Sequence, residues 1–229
     1  MIKHVCSLGT ICHTGRLMQR IHLKKVSYPF DWVFSDEKII IDCLSTRFEK
    51  FLDKSYYVDV AHPYHEKSCG HSLYHEDFFF HKDPRRDDDY EYYKRCVDRF
   101  NNLCQVNESK LFILMYSPQT TRHPEDLYKL FEQELPKEQI IEEIKNRGRL
   151  LNSELRKHAI QYKLLIIMNF GGNETQSYDL ITEGVIDFME LNTISPSQGV
   201  TFNDGTYNTN RHPDNYYISG LMNELYRFH

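Results

Sequence analysis

An α/β sandwich, three layers deep on a largely parallel central sheet, is the fold this sequence predicts, and three observations predict it. Leu111-Phe112-Ile113-Leu114-Met115-Tyr116 is a continuous apolar run, the pattern of a strand buried on both faces. Lys163 to Phe170 is a second such run. Around them apolar residues recur at helical spacing, as at Ile140, Ile141, Ile144, Leu151 and Leu155, so strands alternate with amphipathic helices.

In chain order, His4 to Leu8 is a short apolar run, Gly9 and Thr10 break it, and Leu17, Met18 and Ile21 repeat at helical spacing. Cys12 therefore falls at a strand-to-helix turn. Ser35-Asp36-Glu37 resembles a cap before Ile39, Ile40, Leu44, Phe48 and Phe51, a helix ending near Asp53. Tyr56 to Ala61 reads as a strand. Asp87-Asp88-Asp89 opens a helix with Tyr93, Val97, Phe100 and Leu103 inward, because acidic residues suit the positive end of the helix dipole. Glu125 to Leu135 adds a helix, Val185 to Leu191 a strand, and Tyr216 to Phe228 a closing helix. Ser195-Pro196-Ser197 and Asn203-Asp204-Gly205 mark loops. No repeat or low-complexity linker divides the 229 residues, which read as one α/β domain over 1–229.

A net charge of -5 and a pI near 6.2 argue against binding bulk duplex nucleic acid. No apolar run approaches the roughly 20 residues that span a bilayer, and Met1-Ile2-Lys3-His4 is not followed by a signal-peptide core. The expectation is a soluble cytoplasmic protein away from membranes. Six scattered cysteines fit reduced thiols better than a disulfide framework. His62, His65, Cys69, His71, His75 and His81 crowd one segment, but their spacing matches no zinc finger, so neither metal nor cofactor is expected.

At a helix start the unpaired amides and the dipole favour an anion and lower a cysteine pKa from about 8.5. Cys12 is thus expected to be the most reactive of the six thiols. The plainer role is a small buried apolar residue at a tight turn.

Ser7-Leu8-Gly9-x-x-Cys12, followed by Ser27-Tyr28-Pro29-Phe30-Asp31-Trp32, resembles the signature of a papain-like cysteine peptidase family found in bacteria and giant DNA viruses. The Pro-Phe-Asp-Trp string is its specific part. The resemblance implies a Cys12 nucleophile. His75-Glu76-Asp77-Phe78 is similar to the family's His-Asp-Phe motif with one extra residue, implying His75 as base and Asp77 as a group that orients it. His71 is the nearest competitor, and Asn169, at the end of a strand, is a second candidate for orienting the base. Arg95, Arg99 and Phe100 resemble the family's Arg-rich helix.

The family label implies a papain-like α+β fold as the alternative, with a Cys-bearing helix against an antiparallel sheet carrying the His. The strand order instead looks like a Rossmann-type or SGNH-hydrolase arrangement. Asp204-Gly205-Thr206 with His212-Pro213 is similar to the Asp/His block of those hydrolases, which makes His212 a second candidate base.

The leading reading is a cysteine-dependent hydrolase of an amide or ester, with a peptide or ester as substrate. The alternative is a binding module in which Tyr28, Trp32, Tyr64, Tyr74 and Tyr116 stack a nucleotide or RNA cap, at roughly 1–3 kcal/mol per base. Trp32 has a plainer role as an anchor of its turn. A glycan-modifying enzyme is a third class, a virus factory a second location if the source is viral, and a protein partner stays open.

Overall fold

The computed structural model describes residues 1–60, 69–117, 135–202 and 211–228. In chain order the elements are β1 (His4–Gly9), α1 (Cys12–Arg20), α2 (Glu37–Ser45), α3 (Glu49–Leu52), β2 (Tyr57–Asp59), β3 (Cys69–His71), β4 (His75–Phe79), α4 (Asp87–Gln105), β5 (Lys110–Tyr116), α5 (Lys137–His158), β6 (Tyr162–Phe170), β7 (Ser177–Glu183), β8 (Ile186–Asn192) and α6 (Pro213–Leu225). The expected helix over 125–135, apart from Leu135, lies outside the described residues, as do Tyr64, His62, His65 and Asp204 to Thr206.

The central sheet has strand order β1-β5-β6-β8-β7. β1, β5, β6 and β8 pair in parallel, and β7 closes one edge antiparallel to β8. Every residue of β5 is buried, as its unbroken apolar run requires. Alternation along the strands then sorts residues to two faces. Phe112, Leu114, Tyr116, Leu164, Ile166 and Met168 pack with side chains of α2, α4 and α5. Leu111, Ile113, Met115, Leu165 and Ile167 pack with Leu17 and Met18 of α1 and Ile218, Leu221 and Met222 of α6. Helices cover both faces, which gives three layers.

A second, antiparallel sheet, β2-β3-β4, stands beside the first, so the α+β alternative survives as a small annex to the parallel sheet. β3, β4 and β7 escaped the sequence pattern. β7 exposes five of its seven residues and carries only Tyr178 and Leu180 half-buried, so it lacks the apolar run that marks the central strands. The helix expected to end near Asp53 breaks at Arg47 and Phe48, whose φ values are 52° and 63°. Phe48 is held there by Phe30, Phe51 and Phe100, packing that offsets the cost of a left-handed backbone. The last helix begins at Pro213, with His212 as its N-cap, earlier than the apolar spacing suggests. Among the described residues no helix is long and apolar enough to cross a membrane.

Helix α1 and the Pro29-Phe30-Asp31-Trp32 turn meet at Gly15, where an added Cβ would lie 2.8 Å from the Asp31 carbonyl oxygen. Gly15→Ala should therefore lower the melting temperature, although alanine gains about 1 kcal/mol of helix propensity. A melt at or above that of the parent protein would show that the two elements can part.

Candidate active site

β1 ends at Gly9, whose φ of 103° and close approach to the Ser35 side chain admit no Cβ. The Ser35 N–H donates to Thr10 O at 2.8 Å, Ser35 Oγ donates to Leu8 O at 2.8 Å, and Thr14 Oγ1 donates to Gly9 O at 2.6 Å. These bonds stitch the turn to the residues after Trp32. Ile11 is the N-cap, in extended conformation and with no side-chain cap bond, and Cys12 opens α1 as expected.

The thiol does not behave as the dipole argument alone predicts. Cys12 is 4% exposed, and burial pushes its pKa up to about 12, with a backbone hydrogen bond pulling the other way, Asp31 reinforcing the rise and Lys24 opposing it. Desolvation of a thiolate outweighs a partial helix charge. All six cysteines are buried, so the expected exposure of Cys12 is corrected along with its expected low pKa.

Beside α1, the Asp31 carboxylate is buried, accepts the Tyr28 N–H at 2.8 Å and pairs with Lys24 Nζ at 2.7 Å. Burial raises its pKa, and Lys24 and the Tyr28 amide oppose the rise. Lys24 Nζ lies 4.4 Å from the Trp32 ring centroid. Trp32 is half-buried, and its ring meets His81 edge-on at 5.9 Å. Ile11, Phe34 and Phe80 form a small apolar cluster, which includes the residue before His81 and the residue before Cys12.

His75 stands at the other end of β4. Its ring centroid is 5.5 Å from that of Phe34, and its Nδ1 accepts the Asp77 N–H at 3.0 Å. Asp77 thus holds His75 by its backbone amide. His71, buried and stacked on Tyr74 at 4.0 Å, has its Nε2 3.0 Å from Lys50 O, and burial lowers its pKa. His71, Tyr74, His75, Asp36 and Glu76 help line a cavity of about 450 Å³. The Tyr74 hydroxyl donates to Asp42 Oδ2 at 2.8 Å, so its ring edge is anchored.

The remaining candidates lie elsewhere. Tyr116 is completely buried, with its hydroxyl donating to Glu37 Oε2 at 3.0 Å, a core position that leaves no face for stacking a base. Tyr28 is 7% exposed, in the wall of a separate apolar cavity with Val5, Arg99 and Leu103. Asn169 is completely buried, and its Oδ1 accepts the Thr193 hydroxyl at 3.0 Å, on the α1/α6 side of the sheet and far in bonding terms from His75. His212 is also completely buried; its Nδ1 accepts the Asp214 N–H at 3.2 Å and its Nε2 meets Ser195 Oγ at 3.0 Å. With Nδ1 accepting, the ring proton sits on Nε2, so His212 serves as a helix cap rather than as an acceptor for Cys12. His75 meets Phe34 and His81 meets Trp32, while Asn169, His212, Tyr28 and Tyr116 make the other contacts just given.

His81 is the residue the sequence reading passed over. Its signal was its place, the first polar residue after the buried aromatic run Phe78-Phe79-Phe80. Among the described residues no three His, Cys, Asp or Glu side chains converge as a metal site.

The chain thus carries a thiol at a strand-to-helix turn and, beside the parallel sheet, a short antiparallel sheet that bears His71 and His75. Residues 3–144 match the family described as "Putative papain-like cysteine peptidase (DUF1796)", and the chain belongs to that family. The match includes Cys12, Trp32, His75 and His81 and ends before Asn169 and His212. No curated protein and no solved structure matches the chain.

Two measurements probe this site. Since its pKa is about 12, Cys12 should react with iodoacetamide more slowly than free cysteine at neutral pH, with a rate rising about tenfold per pH unit through pH 10. Mass spectrometry showing fast, pH-independent labelling would refute the buried thiol. Asp36, the N-cap of α2, is 3% exposed, and burial, with Glu37 beside it, raises its pKa from 3.8 to about 6. Across that interval the folded chain holds a proton the unfolded chain has released, so this group makes stability fall as pH rises from 3.8 to about 6. Asp36→Asn keeps the cap and removes the charge; stability at pH 7 should rise by about 2 kcal/mol and its decline over that range should flatten, as urea melts would read.

Proposed function

We propose that the chain is a cysteine-dependent hydrolase of amide or ester bonds, with Cys12 as nucleophile and His81 as the base. The observation that carries this reading is the apolar cluster of Ile11, Phe34 and Phe80, next in sequence to Cys12 and His81, together with the edge contact of His81 on Trp32. It sets one exposed imidazole beside the turn that packs on α1 at Gly15. His75, bonded to the Asp77 amide and set in the cavity wall, is better suited to contacting substrate.

In this mechanism the thiol rests neutral, because burial disfavours the thiolate. As Cys12 Sγ attacks the substrate carbonyl carbon, its proton passes to His81 and a C–S bond forms. The uncapped amides at the start of α1 face the resulting oxyanion. Collapse of the intermediate breaks the C–N or C–O bond, and the imidazolium gives its proton to the leaving amine or alcohol. Water then hydrolyses the thioester with His81 again as base. Stacking of a nucleotide has less support, since Tyr116 and Tyr28 are held in the core.

The test uses a panel of fluorogenic peptidyl amides and p-nitrophenyl acetate. Cys12→Ala should abolish turnover, His81→Ala should lower kcat by about 10²–10⁴-fold with the fold unchanged, and His75→Ala should act mainly on KM. Full turnover in Cys12→Ala would end this reading; loss of kcat in His75→Ala with His81→Ala silent would move the base to His75.

A further inference from the structure

A cavity of about 410 Å³ opens at the amino end of β1, the other end of that strand from Cys12. Its apolar walls are Val5 of β1, Val26 and Tyr28 of the segment after α1, Leu103 of α4, and Val106, the C-cap of that helix. Leu103 and Tyr28 are buried, at 4% and 7% exposure, while Val26 is 42% exposed. Apolar side chains thus run from the core to the surface along one opening, and a ligand with an apolar body would cover them.

The polar groups of the lining select the charge of that ligand. Arg99, Lys25 and His4 are basic, and none of the described lining residues is acidic. His4 is already engaged, its Nε2 2.6 Å from Glu108 Oε2, and Lys3 meets the other oxygen of that carboxylate. Lys25 is exposed and forms no ion pair among the described residues. Arg99 donates from Nη1 to Ser27 O at 3.3 Å and to Cys96 Sγ at 3.9 Å, which leaves its Nε and Nη2 groups to a ligand. Tyr28, nine-tenths buried, has a hydroxyl with no hydrogen-bond partner among the described residues. Burial, then Cys6 and Asp31, raise the pKa of that hydroxyl and Arg99 opposes them, so it stays protonated as a donor beside the guanidinium. An unmet buried donor is disfavoured, and a guanidinium with free N–H groups matches a carboxylate.

The direction of the ligand follows from α4. Its last carbonyls, near Val106, favour cations, so an anionic head belongs at Arg99 and not at that end. Val106 lies two turns beyond Arg99, about 10 Å along the helix, and Leu103 lies between them. A water's share of liquid volume is about 30 Å³ and a methylene is of similar size, so the cavity admits a chain of about ten carbons. We propose that this cavity binds a medium-chain fatty acid, with its carboxylate on the Arg99 guanidinium and its alkyl chain along Leu103, Val5 and Val106. The site does not rest on the hydrolase reading, and its test requires no turnover.

The experiment is isothermal titration calorimetry of the full chain with sodium hexanoate, octanoate and decanoate, each below its micelle-forming concentration. One site per chain is expected, with affinity rising about fourfold for each added methylene. Decyltrimethylammonium should not bind, because Arg99 and Lys25 repel it. Arg99→Gln should weaken decanoate binding at least about tenfold. Val26→Asp, at a position 42% exposed, should weaken it as much by placing a carboxylate in the lining. Circular dichroism checks that both variants are folded. No saturable heat with decanoate in the parent protein would overturn the proposal. So would equal affinity for decanoate and decyltrimethylammonium, affinity independent of chain length, or unchanged affinity in both folded variants.

Discussion

The pairing of Asp31 with Lys24 is the interaction on which the rest of the site depends. One buried carboxylate takes the Tyr28 amide and the Lys24 ammonium, and thereby closes the Pro29-Phe30-Asp31-Trp32 turn on itself. The closed turn drives Phe30 into the aromatic core with Phe48, Phe51 and Phe100, and lays its backbone on α1 at Gly15. Trp32 is left facing outward between Lys24 and His81. A buried charge pair costs desolvation and stabilises little in net terms, but removing one partner strands the other at a cost of about 3–5 kcal/mol. What it supplies here is a single geometry for the turn, and so for the wall beside Cys12.

A second buried ionic group fixes the other side. Glu37 accepts the Tyr116 hydroxyl at 3.0 Å and the Arg147 guanidinium at 2.9 Å, joining α2 to β5 and to α5. Arg147 also reaches Glu143 at 2.8 Å, so its charge is met twice. The residue before Glu37 is Asp36, whose carboxyl lines the cavity beside His75. The side of that cavity formed by α2 is thus as firmly held as the turn that carries Trp32. Near that turn the Cys12 thiol is buried, and burial governs its ionisation.

The two flanks of α1 differ in kind. Toward the Pro29–Trp32 turn lie the thiol, the indole and the imidazoles of the small sheet. Toward α6 lie His13, Asn169 and a set of serines and threonines at the carboxyl edge of the parallel strands. One nine-residue helix separates them.

The sequence by itself determined the layers. Runs such as Leu111 to Tyr116 admit burial on both faces and little else, and helical spacing in 140–155 could only cover them. It also determined that Cys12 opens a helix, because Gly9 and Thr10 end a strand just before an amphipathic repeat, and the Pro-Phe-Asp-Trp string carried the family. Tertiary structure decided what those positions do. Whether Cys12 is exposed depends on Tyr93, Phe80 and the Asp31 turn, which lie far along the chain, so a dipole argument made from local residues could not weigh desolvation. Where His75 and His81 sit depends on how the chain around β4 packs on Phe34 and Trp32, and short strands with mixed burial leave no periodic trace. His212 and Tyr116 read as reactive or stacking groups by residue type, and became a cap and a core anchor because their partners, Asp214 and Glu37, close over them in space.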